Sequence, residues 1–199
     1  MIARDELRAS LRQRREQLRP AERIAAASGV AAALEQLPEF LVDTRVAGYW
    51  AIAGELPLHA AFAALQSRGQ RYHLPVLQPG RRLAFAPWRS GAELAANRYG
   101  IPEPVCAPDD LVAAPALELV LVPLIAFDRR GHRLGTGGGF YDRTFAFLAG
   151  VQRPAQPVLV GIGYSFQETS EVPAQDWDIQ MDFVATEREL IDCTTQSAD

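Results

Sequence analysis

The sequence predicts an α/β fold, a single domain over residues 1–199 with a mostly parallel central sheet, helices on both faces, and an N-terminal helical pair. The pair is expected over 1–37 and the α/β core over 45–191. Three observations carry this. Short apolar runs of strand length alternate with segments of helical spacing, as in strands joined by crossover helices. A loop with four glycines in five positions, within RLGTGGGFYDR at 133–143, lies between a strand-like run and a helix-like one. A chain of 199 residues, 48% hydrophobic, can bury an ordinary core as one domain, because most domains span roughly 100 to 200 residues.

The elements follow in chain order. MIARDELRASLRQRREQLRPAER carries seven arginines, at 4, 8, 12, 14, 15, 19 and 23, while Leu7, Leu11 and Leu18 recur at helical spacing. This is an amphipathic helix with Arg4, Arg8 and Arg12 stacked on one face. Taken singly, each arginine reads as part of a solvated face paired with Asp5, Glu6, Glu16 or Glu22; the stacking keeps an anion-facing stripe open as the alternative. Pro20 suits the first turn of a second helix, whose Ile24, Ala27, Val30, Ala31 and Leu34 are expected to face the core. RVAGYWAI then reads as a strand, PLHAAFAALQSRG as a helix ending at Gly69, and RYHLPVL and RLAFAPW as strands. EPVCAPDDLVAAPALE is an internal loop. LELVLVPLIAF, residues 117–127, reads as one buried strand, FYDRTFAFLAG as a helix, and PVLVGIG as another buried strand. No repeat or low-complexity tract appears.

Glycine takes positive φ without a Cβ penalty, so Gly135, Gly137, Gly138 and Gly139 describe a loop with exposed amides. At a strand-to-helix junction such amides attract phosphate, and in open α/β sheets ligands bind beyond the carboxyl ends of strands. The string is neither GxxxxGK[ST] nor GxGxxG, so a tightly packed crossover stands beside phosphate binding.

Composition excludes several chemistries. All twenty basic residues are arginine; with no lysine, a Schiff base, a pyridoxal phosphate anchor and a Walker lysine are ruled out. Phosphate here must meet arginine, backbone amide or metal, and the guanidinium fork suits it. A net charge of −4 argues against nucleic acid as a partner. No signal peptide or transmembrane run is indicated, so the expected setting is the cytosol with no membrane partner. Cys106 and Cys193 lack CxxC spacing and read as reduced, structural thiols. His59, His73 and His132 form no cluster, with His132 alone near the loop.

PLIAFDRRGHRLGTGGGFYDR resembles the signature of the 5-formyltetrahydrofolate cyclo-ligase family, the methenyltetrahydrofolate synthetases. The Arg-rich helix before LRPAER, then YWAIAGELPL, RYGIPEP and VPAQDWDIQMDFVATE are similar to the family's segments in order and spacing, covering the chain from about Arg4 to Leu190. The resemblance implies a Rossmann-like three-layer fold of the sugar-phosphate isomerase and CoA transferase kind. It also implies a monomer that uses ATP and Mg²⁺ to close 5-formyltetrahydrofolate to 5,10-methenyltetrahydrofolate, releasing ADP and phosphate. In that scheme the formyl oxygen is first phosphorylated and N10 then attacks, chemistry carried by positioning and charge rather than by covalent side-chain work.

Residue by residue, the resemblance gives Arg4 and Arg8 to the ATP phosphates, with Arg4 standing where lysine is common. Arg133, Gly135, Thr136, Gly137, Gly138, Gly139, Phe140 and Tyr141 become the nucleotide loop, Thr136 without a role of its own. Arg133, Tyr141 and Arg143 become the catalytic set, and Asp142 and Asp178 the Mg²⁺ carboxylates. Glu55 becomes the acceptor for the pterin's donors, Trp50 and Tyr99 apolar walls for the folate, and Gly138, Phe140 and Tyr141 line the formyl site. Several have a structural alternative: Asp142 a helix-start carboxylate, Glu55 a turn acid, Trp50 and Tyr99 core, and Phe140 and Tyr141 packing beneath the loop. The rival readings are another phosphate-binding α/β enzyme and a non-catalytic folate or nucleotide module.

Overall fold

A computed structural model describes residues 4–196. The strands are β1 (Arg45–Ala47), β2 (Arg71–Gln78), β3 (Arg82–Pro87), β4 (Leu94–Ala96), β5 (Pro102–Pro104), β6 (Leu119–Pro123), β7 (Ala126–Phe127), β8 (Arg133–Leu134), β9 (Val158–Ile162), β10 (Phe183–Ala185) and β11 (Leu190–Asp192). The helices are α1 (Arg4–Glu16), α2 (Pro20–Leu34), α3 (Pro38–Val42), α4 (His59–Ser67) and α5 (Phe140–Thr144). Seven strands form the central sheet in the order β11-β10-β9-β6-β1-β2-β3. Its five middle strands run parallel and its two edges, β11 and β3, antiparallel. This is the expected single-domain α/β architecture.

Strands buried on both faces read as continuous apolar runs, and alternate residues supply the two cores. Val46, Leu119, Leu121, Val160 and Ile162 face α2, α3 and α4, meeting Val30, Leu34, Phe40 and Leu65. Ala47, Val120, Val122, Leu159 and Val184 face the other way, under α5 and the short turns beside it, with Phe85, Phe145 and Ile179. α1 lies apart from both. Its Leu11 packs with Ile125, Ala126, Leu134 and Val172 on the small β7–β8 hairpin.

Four expectations change. The run over 117–127 is not one strand: β6 stops at Pro123, and the chain turns at Leu124 and Ile125 into β7. The expected strand RVAGYWAI keeps only its first three residues. A Cβ at Gly48 would collide with the Tyr72 hydroxyl, so this crowded position is where the chain leaves the sheet. α5 is five residues long rather than spanning the apolar segment. The Thr144 hydroxyl donates to the Phe140 carbonyl at 2.7 Å, a back-bond that competes with helix continuation, and accepts the Leu83 amide at 2.9 Å. In α2 the buried face is Ala26, Ala27, Val30, Ala33 and Leu34, and Ile24 is 58% exposed.

Candidate active site

A cavity of about 850 Å³ opens at the carboxyl ends of the middle strands. Tyr49 and Trp50 beyond β1, Leu77 near the end of β2, and Pro123 and Leu124 at the end of β6 form its floor. The glycine loop borders it, but its entry strand is β8 of the small hairpin, not a strand of the central sheet.

The loop's shape follows from its glycines. Gly137 has φ +100° and Gly139 φ +66°, both in the region that disfavours a Cβ, and a side chain at Gly138 would strike the Phe140 ring at 2.7 Å. Among the described residues, no protein group accepts a hydrogen bond from the amides of Gly135 to Phe140. A row of free N–H donors therefore borders the cavity.

Three arginines of α1 fix this loop and its neighbour. Arg8 Nε donates to the Gly135 carbonyl at 2.9 Å and Arg12 Nη2 to the Thr136 carbonyl at 3.1 Å, while Arg4 Nη1 pairs with Asp178 at 2.9 Å. Helical spacing explains the set, since residues four apart share a face. Arg15 continues the line and is only 2% exposed, its guanidinium donating to the Ala53 carbonyl. Arg23 of α2 caps the end of α1, donating to the carbonyls of Arg15, Glu16 and Leu18. The solvated-face reading is borne out in part by Arg8, which pairs with Asp5 at 2.6 Å, although Arg4, Arg8 and Arg12 all border the cavity. It is kept by Arg14, exposed and stacked over Phe166 at 4.3 Å.

Arg133 is 5% exposed and pairs with Asp142 at 2.7 Å, with its Nε lacking any partner. It also lies 5.8 Å from the Tyr141 ring centre. Tyr141 stacks on Phe145, and burial pushes its phenol well above the usual range, so it stays neutral. Asp142 Oδ1 accepts from Arg133 and from the Ile179 amide at 3.3 Å; Asp178 Oδ2 accepts from Arg4 and the Gln175 amide at 2.9 Å. The Ile179 bond brings the two carboxylates' segments together. Each carboxylate keeps its second oxygen without a protein partner among the described residues, and both border the cavity. No group of three or more His, Cys, Asp or Glu suited to a metal occurs among the described residues. Two carboxylate oxygens fit a cation that draws its remaining ligands from phosphate and water, as Mg²⁺ does.

On the far wall, Glu55 is 8% exposed and its Oε2 accepts the Ile52 amide at 3.1 Å. Burial raises its pKa against the opposing pull of that bond and of Arg15 and Arg12. Trp50 meets Trp88 edge-on, and Tyr99 meets Phe140 edge-on at 5.9 Å. Tyr99 rides on a turn held by Asn97, whose Oδ1 accepts the Tyr99 and Ile101 amides and whose Nδ2 donates to Glu103. Neither Trp50 nor Tyr99 is core: both are exposed at the cavity edge.

Of the residues singled out from sequence, the structure gathers Arg4, Arg8, Trp50, Glu55, Tyr99, Arg133, Gly135 to Tyr141, Asp142 and Asp178 around one cavity. It does not bring Arg143 there. That guanidinium is exposed and donates to the Gly138 and Gly139 carbonyls, bracing the loop from behind. His132 bonds to buried Asp128 and is likewise absent from the lining. Arg12, a member of the stacked stripe to which the resemblance assigns no ligand, lines it too, as do Arg15, Arg81 and Trp177, which carried no role in the sequence reading. Arg15 continues the stacked stripe, a signal that was present.

Comparison with known proteins decides the family. The model of the 5-formyltetrahydrofolate cyclo-ligase family matches residues 1–187. The chain belongs to this enzyme family. It is 34% identical over 178 residues to the 5-formyltetrahydrofolate cyclo-ligase of Escherichia coli K12, covering 88% of this chain and 96% of the relative. The cyclo-ligase of Haemophilus influenzae is 30% identical, with 89% and 94% covered. Among solved structures, the 5,10-methenyltetrahydrofolate synthetase of Aquifex aeolicus superposes with a TM-score of 0.80 at 31% identity, covering 96% of this chain and 93% of that one. The fold is shared as well with the Mycoplasma pneumoniae synthetase, at TM-score 0.72 and 22% identity.

Proposed function

We propose that this cyclo-ligase family member closes 5-formyltetrahydrofolate to 5,10-methenyltetrahydrofolate with consumption of ATP, and that both substrates meet in the cavity of about 850 Å³. The observation that carries this is the sharing of one cavity by two unlike walls. Free amides and guanidiniums form one, suited to phosphates, and a buried carboxylate with aromatic edges forms the other, suited to a pterin.

On the phosphate wall, the amides of Gly135 to Gly139 receive the ATP phosphates, with Arg4, Arg8 and Arg133 neutralising their oxygens. On the other wall, Glu55 accepts hydrogen bonds from the pterin's amino and ring N–H groups, while Trp50, Tyr99 and Phe140 enclose the rest. The formyl oxygen attacks the γ-phosphorus, ADP leaves, and the formyl carbon becomes an iminium phosphate. The N10 lone pair adds to that carbon. Phosphate then departs with the former formyl oxygen, N10 gives up its proton, and the cationic methenyl bridge remains.

The protein's task is to hold two electron-rich partners in line and keep water out; Arg133 and neutral Tyr141 stand where the transferred phosphoryl group passes. Asp142 and Asp178 are the residues that would hold Mg²⁺, which supplies charge neutralisation on the phosphates when bound. Arg143 acts at one remove, by fixing the carbonyls of the loop.

The test is a mixture of protein, 5-formyltetrahydrofolate, ATP and Mg²⁺, followed by methenyl absorbance and ADP release together. Product and ADP are expected in equal amounts, and neither without Mg²⁺. Folded protein that forms no product overturns the reading; folate binding without turnover supports a binding module instead.

A further inference from the structure

Arg15 is a charge buried at 2% exposure with no carboxylate within ion-pair distance among the described residues, an arrangement that folding does not favour on its own. Its guanidinium is spent on one backbone carbonyl: Nε and Nη2 donate to Ala53 O at 3.1 and 2.8 Å. Ala53 is one of two residues other than glycine with positive φ among the described residues, at +46°, a conformation that its Cβ disfavours. Gly54 follows at φ +76°, and the Glu55 amide closes the turn on the Ile52 carbonyl at 2.8 Å. The turn thus holds a conformation that its own sequence does not prefer, and its product is the direction of Glu55.

The bracing is local and specific. A Cβ on Gly54 would press on the Arg15 carbonyl at 3.2 Å, so the end of α1 and the turn are in close contact through their backbones too. The Arg15 carbonyl accepts from Arg23 at 3.2 Å, and the Gly54 carbonyl accepts from the Tyr164 hydroxyl at 3.4 Å. The same helix holds the glycine loop through Arg8 and Arg12. α1 is therefore one rod touching both walls of the cavity, with Arg15 its only side chain bonded to the 52–55 turn among the described residues.

We propose that Arg15 is a positioning residue for the folate wall: by gripping the Ala53 carbonyl it holds the left-handed turn that aims Glu55 into the cavity, and it seats that turn on the helix that carries the phosphate-facing arginines. The inference rests on the folate reading of Glu55. Arg15 acts through Glu55 and touches no reacting atom. Its loss releases the turn, and Glu55 then samples directions in which it meets no pterin donor.

The experiment measures equilibrium dissociation constants for 5-formyltetrahydrofolate without nucleotide, and for ATP with Mg²⁺ without folate. The unaltered chain, Arg15→Gln, Arg14→Ala and the double variant Arg15→Gln with Ala53→Gly are compared. Glycine adopts φ +46° without the Cβ penalty, so it relieves the turn without restoring the guanidinium. Arg15→Gln is expected to weaken folate by about 10- to 100-fold, the scale of lost charge-assisted bonds, with ATP changed by less than about threefold. The double variant is expected to regain at least about tenfold in folate affinity. Arg14→Ala is expected to alter neither.

A merely structural Arg15 gives a different pattern: parallel losses for both ligands that follow the melting temperature, and no folate recovery in the double variant. Either result overturns the proposal, as does folate affinity unchanged within about twofold. Should Arg15→Gln not fold, Arg15→Lys is read the same way, because it keeps the charge but not the two-pronged contact. Folate that fails to bind the unaltered chain overturns the functional reading beneath the proposal; folate that binds both the unaltered chain and Arg15→Gln equally overturns the proposal alone.

Discussion

Glu55 shows how burial opposes ionisation at one residue. Its desolvation raises the pKa above the ordinary carboxylate value of about 4.3, in spite of the Ile52 amide and the charges of Arg15 and Arg12; the Tyr49 and Tyr141 phenols also face it. An acid whose folded pKa is raised favours the folded state most at low pH and loses that contribution as pH rises through the folded value. Ionised Glu55 is thus a cost of the free protein above that pH, and on the proposed reading the ionised form is the one that accepts the pterin's donors. Folate affinity is expected to fall as pH drops through the raised value. Glu55→Gln should remove that limb, weaken folate by about 10- to 150-fold and leave the melting temperature at pH 7 no lower, as titration and calorimetry would show. Unaltered folate affinity makes Glu55 a turn acid. Asp142 poses a sharper choice, since its Oδ1 serves Arg133 at 2.7 Å while Oδ2 has no protein partner among the described residues. Asp142→Asn keeps an acceptor for Arg133 and loses the charge. Turnover at limiting Mg²⁺ should drop by on the order of 100-fold with folding intact, and kinetics independent of this change would assign Asp142 to bracing Arg133 alone.

Among elements, α1 matters most to the site. Arg4 and Arg8 lie at the cavity and already bond to Asp178 and Gly135, so their replacement by alanine removes a brace and, on the proposed reading, a phosphate partner. Each should weaken ATP use by about 10- to 150-fold at fixed folate. The natural comparison is Arg14, exposed over Phe166, where alanine should change stability by less than about 1 kcal/mol and ATP dependence not at all. Arg12 cannot serve as that comparison, because its guanidinium holds Thr136 at the cavity's edge. Equal ATP dependence in the Arg4, Arg8 and Arg14 variants would leave phosphate binding to the loop alone. The stripe itself was legible in the sequence, because i,i+4 spacing is local; which loop it lies against was not, because that is decided by Leu11 seating on the β7–β8 hairpin. In α2 the phase was missed at Ile24 for another reason. Alanine occupies so many of its positions that the apolar pattern marks no single face. α5 was overextended because Phe145 and Leu148 are apolar for the core under a tight turn, not for a continued helix.

For the whole molecule, the alternation of strands and helices made the sheet readable, since strands buried on both faces announce themselves as apolar runs. The place of the cavity also followed, from the rule that open parallel sheets bind ligands beyond their carboxyl ends. What stayed hidden was whatever depends on chain reversal at single residues: the break after Pro123, the exit at Gly48, and the strained turn at Ala53 that carries Glu55. On the proposed reading, this one cavity holds both substrates so that the γ-phosphoryl group passes directly to the formyl oxygen. Labelling that oxygen tests it most directly. With 5-formyltetrahydrofolate carrying ¹⁸O in the formyl group, turnover with ATP and Mg²⁺ is followed by mass analysis of the released phosphate. One ¹⁸O is expected in each phosphate formed with methenyl product. Product accompanied by unlabelled phosphate, with the label recovered in water, would contradict that reading.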